Sequence, residues 1–120
     1  MIIGIGNDIA EIERIKKACE KEAFLRRVYT EKERESSKNK APYLAGCFSV
    51  KEAVSKAFGT GIRGFELYEI EVLRDNHGKP YVNLFGQAKD MAQKLGIDIF
   101  HVTITNTSQF AFSTVIAERR

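Results

Sequence analysis

Ile3-Gly4-Ile5-Gly6-Asn7-Asp8-Ile9 and, forty residues on, Phe48-Ser49-Val50-Lys51-Glu52-Ala53-Val54-Ser55-Lys56-Ala57-Phe58-Gly59-Thr60-Gly61 decide how this chain folds. In the first stretch isoleucines at 3, 5 and 9 recur with period two, so residues 2 to 9 read as a strand. Asp8 then shares a face with Gly4 and Gly6. A face of two glycines and an aspartate leaves room for another backbone, a helix or a ligand to come close.

The second stretch has helical spacing. Pro42 fits the first turn of a long helix from Pro42 to Phe58, and Gly59 is its stop signal. Ala45, Ser49, Glu52 and Lys56 recur three or four apart and share one face, while Leu44, Cys47, Phe48, Val54, Ala57 and Phe58 supply apolar surface. Taken alone, Glu52 and Lys56 read as an ordinary helix salt bridge worth about 0.3 to 0.5 kcal/mol. Taken with Asp8, they supply two carboxylates and an amine on rigid elements, which is what magnesium-assisted phosphate chemistry needs. The following loop, Gly59 to Gly64, adds free amides and Arg63 for phosphate oxygens.

Around these two stretches the remaining elements follow from local pattern. Glu11 to Tyr29 has helical spacing with a break near Glu22 or Ala23, and one face carries Arg14, Lys17, Lys21, Arg26 and Arg27. Thr30-Glu31-Lys32-Glu33 is a capping box opening a short helix, which ends in the polar run Ser36 to Lys40. Leu67 to Arg74 and Tyr81 to Phe85 read as strands around the turn Asp75 to Pro80. A helix over Gln87 to Leu95 is closed by Gly96, and Ile99 to Thr107 with Phe110 to Glu118 form a final hairpin.

In the last of these strands Phe110, Phe112, Thr114 and Ile116 alternate with Ala111, Ser113, Val115 and Ala117, so neither face is charged before Glu118. Such a sheet must be covered on both sides, and the chain has few helices for that task. An oligomer is the expectation.

Composition narrows the class further. A chain of 120 residues, 43% hydrophobic and 29% charged, is of single-domain size and ordinary globular make-up, with no segment of membrane-spanning apolar length. The N-terminus lacks the basic region and cleavage site of a secretory signal, so the expected location is cytoplasmic. Cys19 and Cys47 are too far apart for a Cys-x-x-Cys metal pair and read as free thiols. The net charge of +3 suits an acidic partner. Basic residues of the first helix alternate with Glu11, Glu13, Glu20 and Glu22 and lack an aromatic platform, which argues against nucleic acid. A dinucleotide fingerprint fails because Ile9 stands where its third glycine belongs.

Taken together the segments resemble the holo-acyl-carrier-protein synthases of the 4'-phosphopantetheinyl transferase superfamily, over essentially the whole chain. The family motif Gly-Ile-Gly-x-Asp-Ile-x-Glu-Ile-x-Arg-Ile is present as Gly4 to Ile15, and Phe-x-x-Lys-Glu-Ala-x-x-Lys-Ala-x-Gly-Thr-Gly as Phe48 to Gly61. The family's Gly-Lys-Pro hairpin is present as Gly78-Lys79-Pro80, and its C-terminal turn as Thr105-Asn106-Thr107. Asn106 replaces the family histidine, and Cys47 stands where the family commonly has arginine; both positions are associated in the family with holding coenzyme A.

The resemblance implies an α+β fold, a long buried helix packed on a mostly antiparallel sheet, and a homotrimer with active sites at subunit interfaces. It implies transfer of phosphopantetheine from coenzyme A to a serine of acyl carrier protein, with adenosine 3',5'-bisphosphate released. Asp8 and Glu52 would bind Mg2+, and Asp8, Glu52 and Lys56 would form the catalytic set. Ser55, Lys56, Gly59, Gly61, Lys79, Pro80, Asn106 and Thr107 would contact coenzyme A. The acidic carrier would dock on the first helix, where Arg14 matches the family motif; helical spacing adds Lys17, Lys21, Arg26 and Arg27. A metal-dependent phosphohydrolase and a coenzyme A or acidic-protein binding module without transfer activity are the alternatives.

Overall fold

The computed structural model describes residues 1–61 and 63–120; Ile62, part of the glycine loop read from the sequence, lies outside them. The order of elements is β1 (Ile2–Glu11), α1 (Ile12–Ala18), α2 (Glu22–Val28), α3 (Glu31–Ser37), α4 (Ala41–Ala57), a 3-10 turn (Leu67–Glu69), β2 (Ile70–Arg74), β3 (Pro80–Leu84), α5 (Gly86–Leu95), β4 (Ile99–Asn106) and β5 (Phe110–Glu118). An antiparallel sheet in the order β1-β5-β4 and an antiparallel hairpin β2-β3 flank α4, which gives an α+β architecture.

The two decisive stretches meet directly. A Cβ on Gly4 would collide with the carbonyl oxygen of Ala57, and one on Gly6 with that of Ala53, so the bare strand lets the backbone of α4 lie against β1. Of the close approaches open to a glycine face, the helix takes this one. Ala10, Ala111, Val115 and Ala117 complete a face of small residues under α4, whose Val50, Ala53, Val54 and Ala57 fill the core from above. The opposite face of the sheet stays open: Ile5, Ile9 and Phe112 are 66%, 54% and 40% exposed. In register, Ile9 lies beside Phe112 and Ile5 beside Ile116, so these side chains form one apolar strip.

Several boundaries differ from the sequence reading. The first helical region breaks at Cys19–Lys21, ahead of Glu22, because Lys21 is extended and α2 starts afresh after it. β1 runs on to Glu11, held by its pairing with Phe110. Leu67–Glu69 is a 3-10 turn instead of strand, since the Glu69 carboxylate accepts hydrogen bonds from the backbone of Glu66 (3.0 Å) and Gln87 (3.2 Å) and closes the chain into a turn. The capping box forms as read: Thr30 caps Glu33, whose carboxylate returns to the Thr30 amide at 2.8 Å.

Candidate active site

Antiparallel packing of β1 on α4 brings Asp8 level with Ser49 and Lys56, whose positions on the helix follow from its period. The Ser49 hydroxyl donates to the Asp8 carbonyl at 3.1 Å and shares a 2.7 Å hydrogen bond with Ser113 on β5, fixing strand, helix and sheet at this level. Lys56 reaches across the strand: Nζ donates to the Asn7 carbonyl at 2.8 Å and stands 3.7 Å from Asp8 Oδ1. Among the described residues its ion pair is with Asp8 and not with Glu52, so the ordinary intrahelical bridge gives way to a strand-to-helix one.

Asp8 and Glu52 converge closely enough to feel each other. Burial raises the Glu52 carboxyl above its ordinary range, the Asp8 charge raises it further, and Lys56 opposes both. Burial likewise raises Asp8, against the Lys56 charge and the Ser49 hydroxyl. Two half-buried carboxylates held together against their repulsion are stabilised by a cation. Among the described residues no cluster of three or more His, Cys, Asp or Glu exists. A donor set of two hard carboxylate oxygens fits Mg2+, which keeps waters and takes phosphate oxygens to complete its shell, and does not fit a structural zinc site.

Other residues singled out in the sequence fall into separate groups. Gly59 and Gly61 follow directly after Lys56 with φ of 82° and 69°, and a side chain on either would meet nothing within 4 Å; the loop is open and its glycines serve backbone shape alone. Ser55 is buried, and its hydroxyl donates to the Lys51 carbonyl at 2.9 Å, so that group is engaged within the helix. Asn106 lies at the opposite end of α4, with its amide 3.5 Å from the Pro42 carbonyl. Pro42 and Glu52 are ten residues apart, about 15 Å along a helix axis at ~1.5 Å per residue. Lys79 and Pro80 line a cleft of about 1010 Å³ between β3, α5 and the outward face of β4, which Asp8, Glu52 and Lys56 do not line. Within one chain Asn106, at the far end of α4, and Lys79 and Pro80, in that cleft, are therefore apart from the carboxylate site, while the Thr107 hydroxyl closes the β4–β5 turn by accepting from the amides of Gln109 (3.2 Å) and Phe110 (2.9 Å).

Cys47 faces inward: it is fully buried, its thiol lies 3.6 Å from the Val72 carbonyl, and burial pushes its pKa up to about 12. Arg14, Lys17, Lys21, Arg26 and Arg27 are exposed on α1, the adjoining bend and α2, and Arg26 lies 3.4 Å from Glu22.

Lys51 stands in the sequence only as part of the Phe48 to Gly61 motif, and the structure gives it a role. Lys51 Nζ is fully buried, 2.8 Å from Glu33 Oε1 and 3.1 Å from the Leu67 carbonyl, and it donates to the Ile70 carbonyl as well. Glu33 in turn accepts from Val72 N at 2.7 Å. This pair ties α3, α4 and β2 together one residue before Glu52. The sequence signal was the capping-box glutamate, which does both jobs.

A strand-borne carboxylate facing a helix-borne carboxylate and amine, on an antiparallel α+β scaffold, is an arrangement suited to a divalent cation. The chain belongs to the 4'-phosphopantetheinyl transferase superfamily, whose sequence profile matches residues 4–115. It is 50% identical over 118 residues to a holo-acyl-carrier-protein synthase of Lachnoclostridium phytofermentans, covering 98% of this chain and 97% of that one. Its structure is similar to the holo-acyl-carrier-protein synthase of Neisseria meningitidis, with TM-score 0.89, 31% identity, and coverage of 99% and 100% of the two chains. It is also similar to that of Bacillus anthracis in complex with coenzyme A (3',5'-ADP), with TM-score 0.83, 36% identity, and coverage of 100% and 99%.

Proposed function

We propose that this chain, as one domain over residues 1–120, transfers the 4'-phosphopantetheine group of coenzyme A to a serine of apo acyl carrier protein. The observation that carries this reading is the convergence of Asp8, Glu52 and Lys56 at the line where β1 lies on α4. Relatives of the same length are holo-acyl-carrier-protein synthases, and one of similar structure is in complex with coenzyme A, which supports the choice of cosubstrate.

In this reading the serine oxygen attacks the β-phosphorus, the bond to the bridging oxygen breaks, and adenosine 3',5'-bisphosphate leaves. Asp8 and Glu52 would hold Mg2+, which when bound would neutralise charge on the pyrophosphate oxygens. Lys56, anchored at the Asn7 carbonyl and half exposed, would contact the same oxygens. Glu52, directly or through a water it holds, would take the serine proton. The Gly59 amide is engaged by the Lys56 carbonyl at 3.0 Å, so of Gly59 and Gly61 it is Gly61 that would offer its amide.

The apolar strip of Ile5, Ile9 and Phe112 supports a homotrimer, in which a second copy brings Lys79, Pro80, Asn106 and Thr107 to the carboxylate site of the first. Exposed Arg14, Lys17, Lys21, Arg26 and Arg27 would steer the acidic carrier. Such an enzyme works in the cytoplasm, and the two free thiols agree with that.

The test is incubation with apo acyl carrier protein, coenzyme A and Mg2+, with the carrier weighed by mass spectrometry. A gain of one phosphopantetheine is expected. Cleavage of coenzyme A without carrier modification would make the chain a phosphohydrolase, and binding without either reaction would make it a binding module.

A further inference from the structure

Ser49 and Ser113 are two buried hydroxyls, at 0% and 3% exposure, in a layer otherwise made of small apolar side chains and bare backbone. Gly4, Gly6, Ala10, Ala53, Ala111 and Val115 are their neighbours on the facing surfaces of β1, β5 and α4. Burying a hydroxyl is unfavourable unless it is hydrogen-bonded, and even then the net gain is small. Two alanines would fill nearly the same space, so stability is a weak reason for the pair.

The protons show where the pair is aimed. Ser49 donates to the Asp8 carbonyl at 3.1 Å, which uses its one proton, so in the 2.7 Å contact Ser113 donates and Ser49 accepts. The chain of hydrogen bonds runs from Ser113 through Ser49 and ends on Asp8. Ser113 is also the cross-strand partner of Asp8, which ties the aspartate to β5 and to α4 at one level.

The strand needs such a tie. β1 lies at an edge of its sheet, beside β5, and meets α4 through two glycines whose bare backbone rests on the Ala53 and Ala57 carbonyls. Backbone against backbone is close, but it has no interlocking side chains to fix the height of the strand along the helix. A satisfied buried polar contact fixes it. Lys56 supplies a second tie, to the Asn7 carbonyl, but it is half exposed and in the transferase reading also contacts substrate oxygens. Ser49 has no exposed surface and no second task.

We infer that Ser49, backed by Ser113, is a positioning residue for the metal site, holding Asp8 at the height where its carboxylate and that of Glu52 share one divalent cation, an inference that rests on the reading of those two carboxylates as ligands. Mg2+ demands near-ideal geometry of its oxygens, so a strand free to shift against α4 binds it less well.

The experiment is titration of Mn2+, a hard divalent cation that takes the same oxygen ligands, into the protein in the presence of coenzyme A. Free Mn2+ is read by electron paramagnetic resonance, Asp8→Ala gives the background, and the free proteins are melted in parallel. Ser49→Ala is expected to weaken Mn2+ binding about ten-fold and to raise the Mg2+ concentration for half-maximal transfer by a similar factor. It should also lower the melting temperature by about 2 to 6 °C, because the buried Ser113 hydroxyl loses its acceptor and the Asp8 carbonyl a donor. Adding Ser113→Ala removes the stranded hydroxyl. The double variant should therefore regain part of the melting temperature while binding Mn2+ as weakly as Ser49→Ala. Unchanged Mn2+ affinity in Ser49→Ala, or an affinity that recovers with the melting temperature in the double variant, overturns the inference. A wild type that takes up no more Mn2+ than Asp8→Ala overturns the metal reading itself.

Discussion

Replacing Lys51 by methionine removes one charge from a fully buried pair and tests whether that pair holds the site-bearing helix in place. In the intact protein Glu33 takes hydrogen bonds from Lys51 (2.8 Å), Val72 N (2.7 Å) and Thr30 N (2.8 Å), and the Lys51 ammonium is shared with the carbonyls of Leu67 and Ile70. Methionine fills the space and leaves the Glu33 carboxylate with the Val72 amide and the Thr30 cap amide alone; the Ile70 carbonyl loses its ammonium donor, and the Leu67 carbonyl keeps only the Ile70 amide. Breaking a buried pair on one side costs about 3 to 5 kcal/mol. For 120 residues at roughly 2.1 cal/mol/K each, the unfolding entropy is about 250 cal/mol/K, so the melting temperature should fall by about 12 to 20 °C.

The pH dependence has a definite sign. The native Glu33 carboxyl is already raised, by burial first, against the pull of Lys51. Without Lys51 it rises further, so the folded variant binds a proton that the unfolded chain releases, and stability falls as pH rises through the native pKa. Lys51→Met should therefore be closer to wild type at pH 5 than at pH 8. The double variant Lys51→Met with Glu33→Gln, which has no buried charge to strand, should recover part of the loss. Urea unfolding at fixed protein concentration, with thermal melting, reads both. A loss under about 1 kcal/mol, or a double variant no better than the sum of the singles, would refute the reasoning.

Other expectations follow from the same contacts. Gly6→Ala forces a methyl into the Ala53 carbonyl and should lower stability by about 1 to 3 kcal/mol or more, with loss of transfer as Asp8 moves; a melt and a transfer assay read it. Asp8→Ala and Glu52→Ala should each abolish transfer without lowering the melting temperature, because each relieves a repulsion; retained activity in both removes them from the mechanism. Arg14→Glu should raise the KM for carrier protein more than that for coenzyme A, and an equal effect on both counts against docking on α1. Ile5→Asp puts a charge into the apolar strip and should convert a trimer to monomers in sedimentation at micromolar concentration; a wild type that sediments only as a monomer defeats the trimer.

The amino-acid sequence by itself determined the elements and the carboxylates. Period two in the isoleucines marks β1, the three- and four-residue recurrence of Ala45, Ser49, Glu52 and Lys56 marks one face of α4, and Gly4 with Gly6 shows that something close must lie on the strand. These signals are local, since each depends on backbone geometry within a few residues. Only the tertiary structure decided what met what. It identified the close neighbour of the glycines as α4, gave Lys56 to Asp8, and buried Lys51 on Glu33, eighteen residues distant. It turned Cys47 inward, separated Asn106 and Lys79 from Asp8, and laid Arg74 over the Tyr43 ring. Pairings of this kind depend on which elements pack together and at what register, and no periodicity within a single element carries that information.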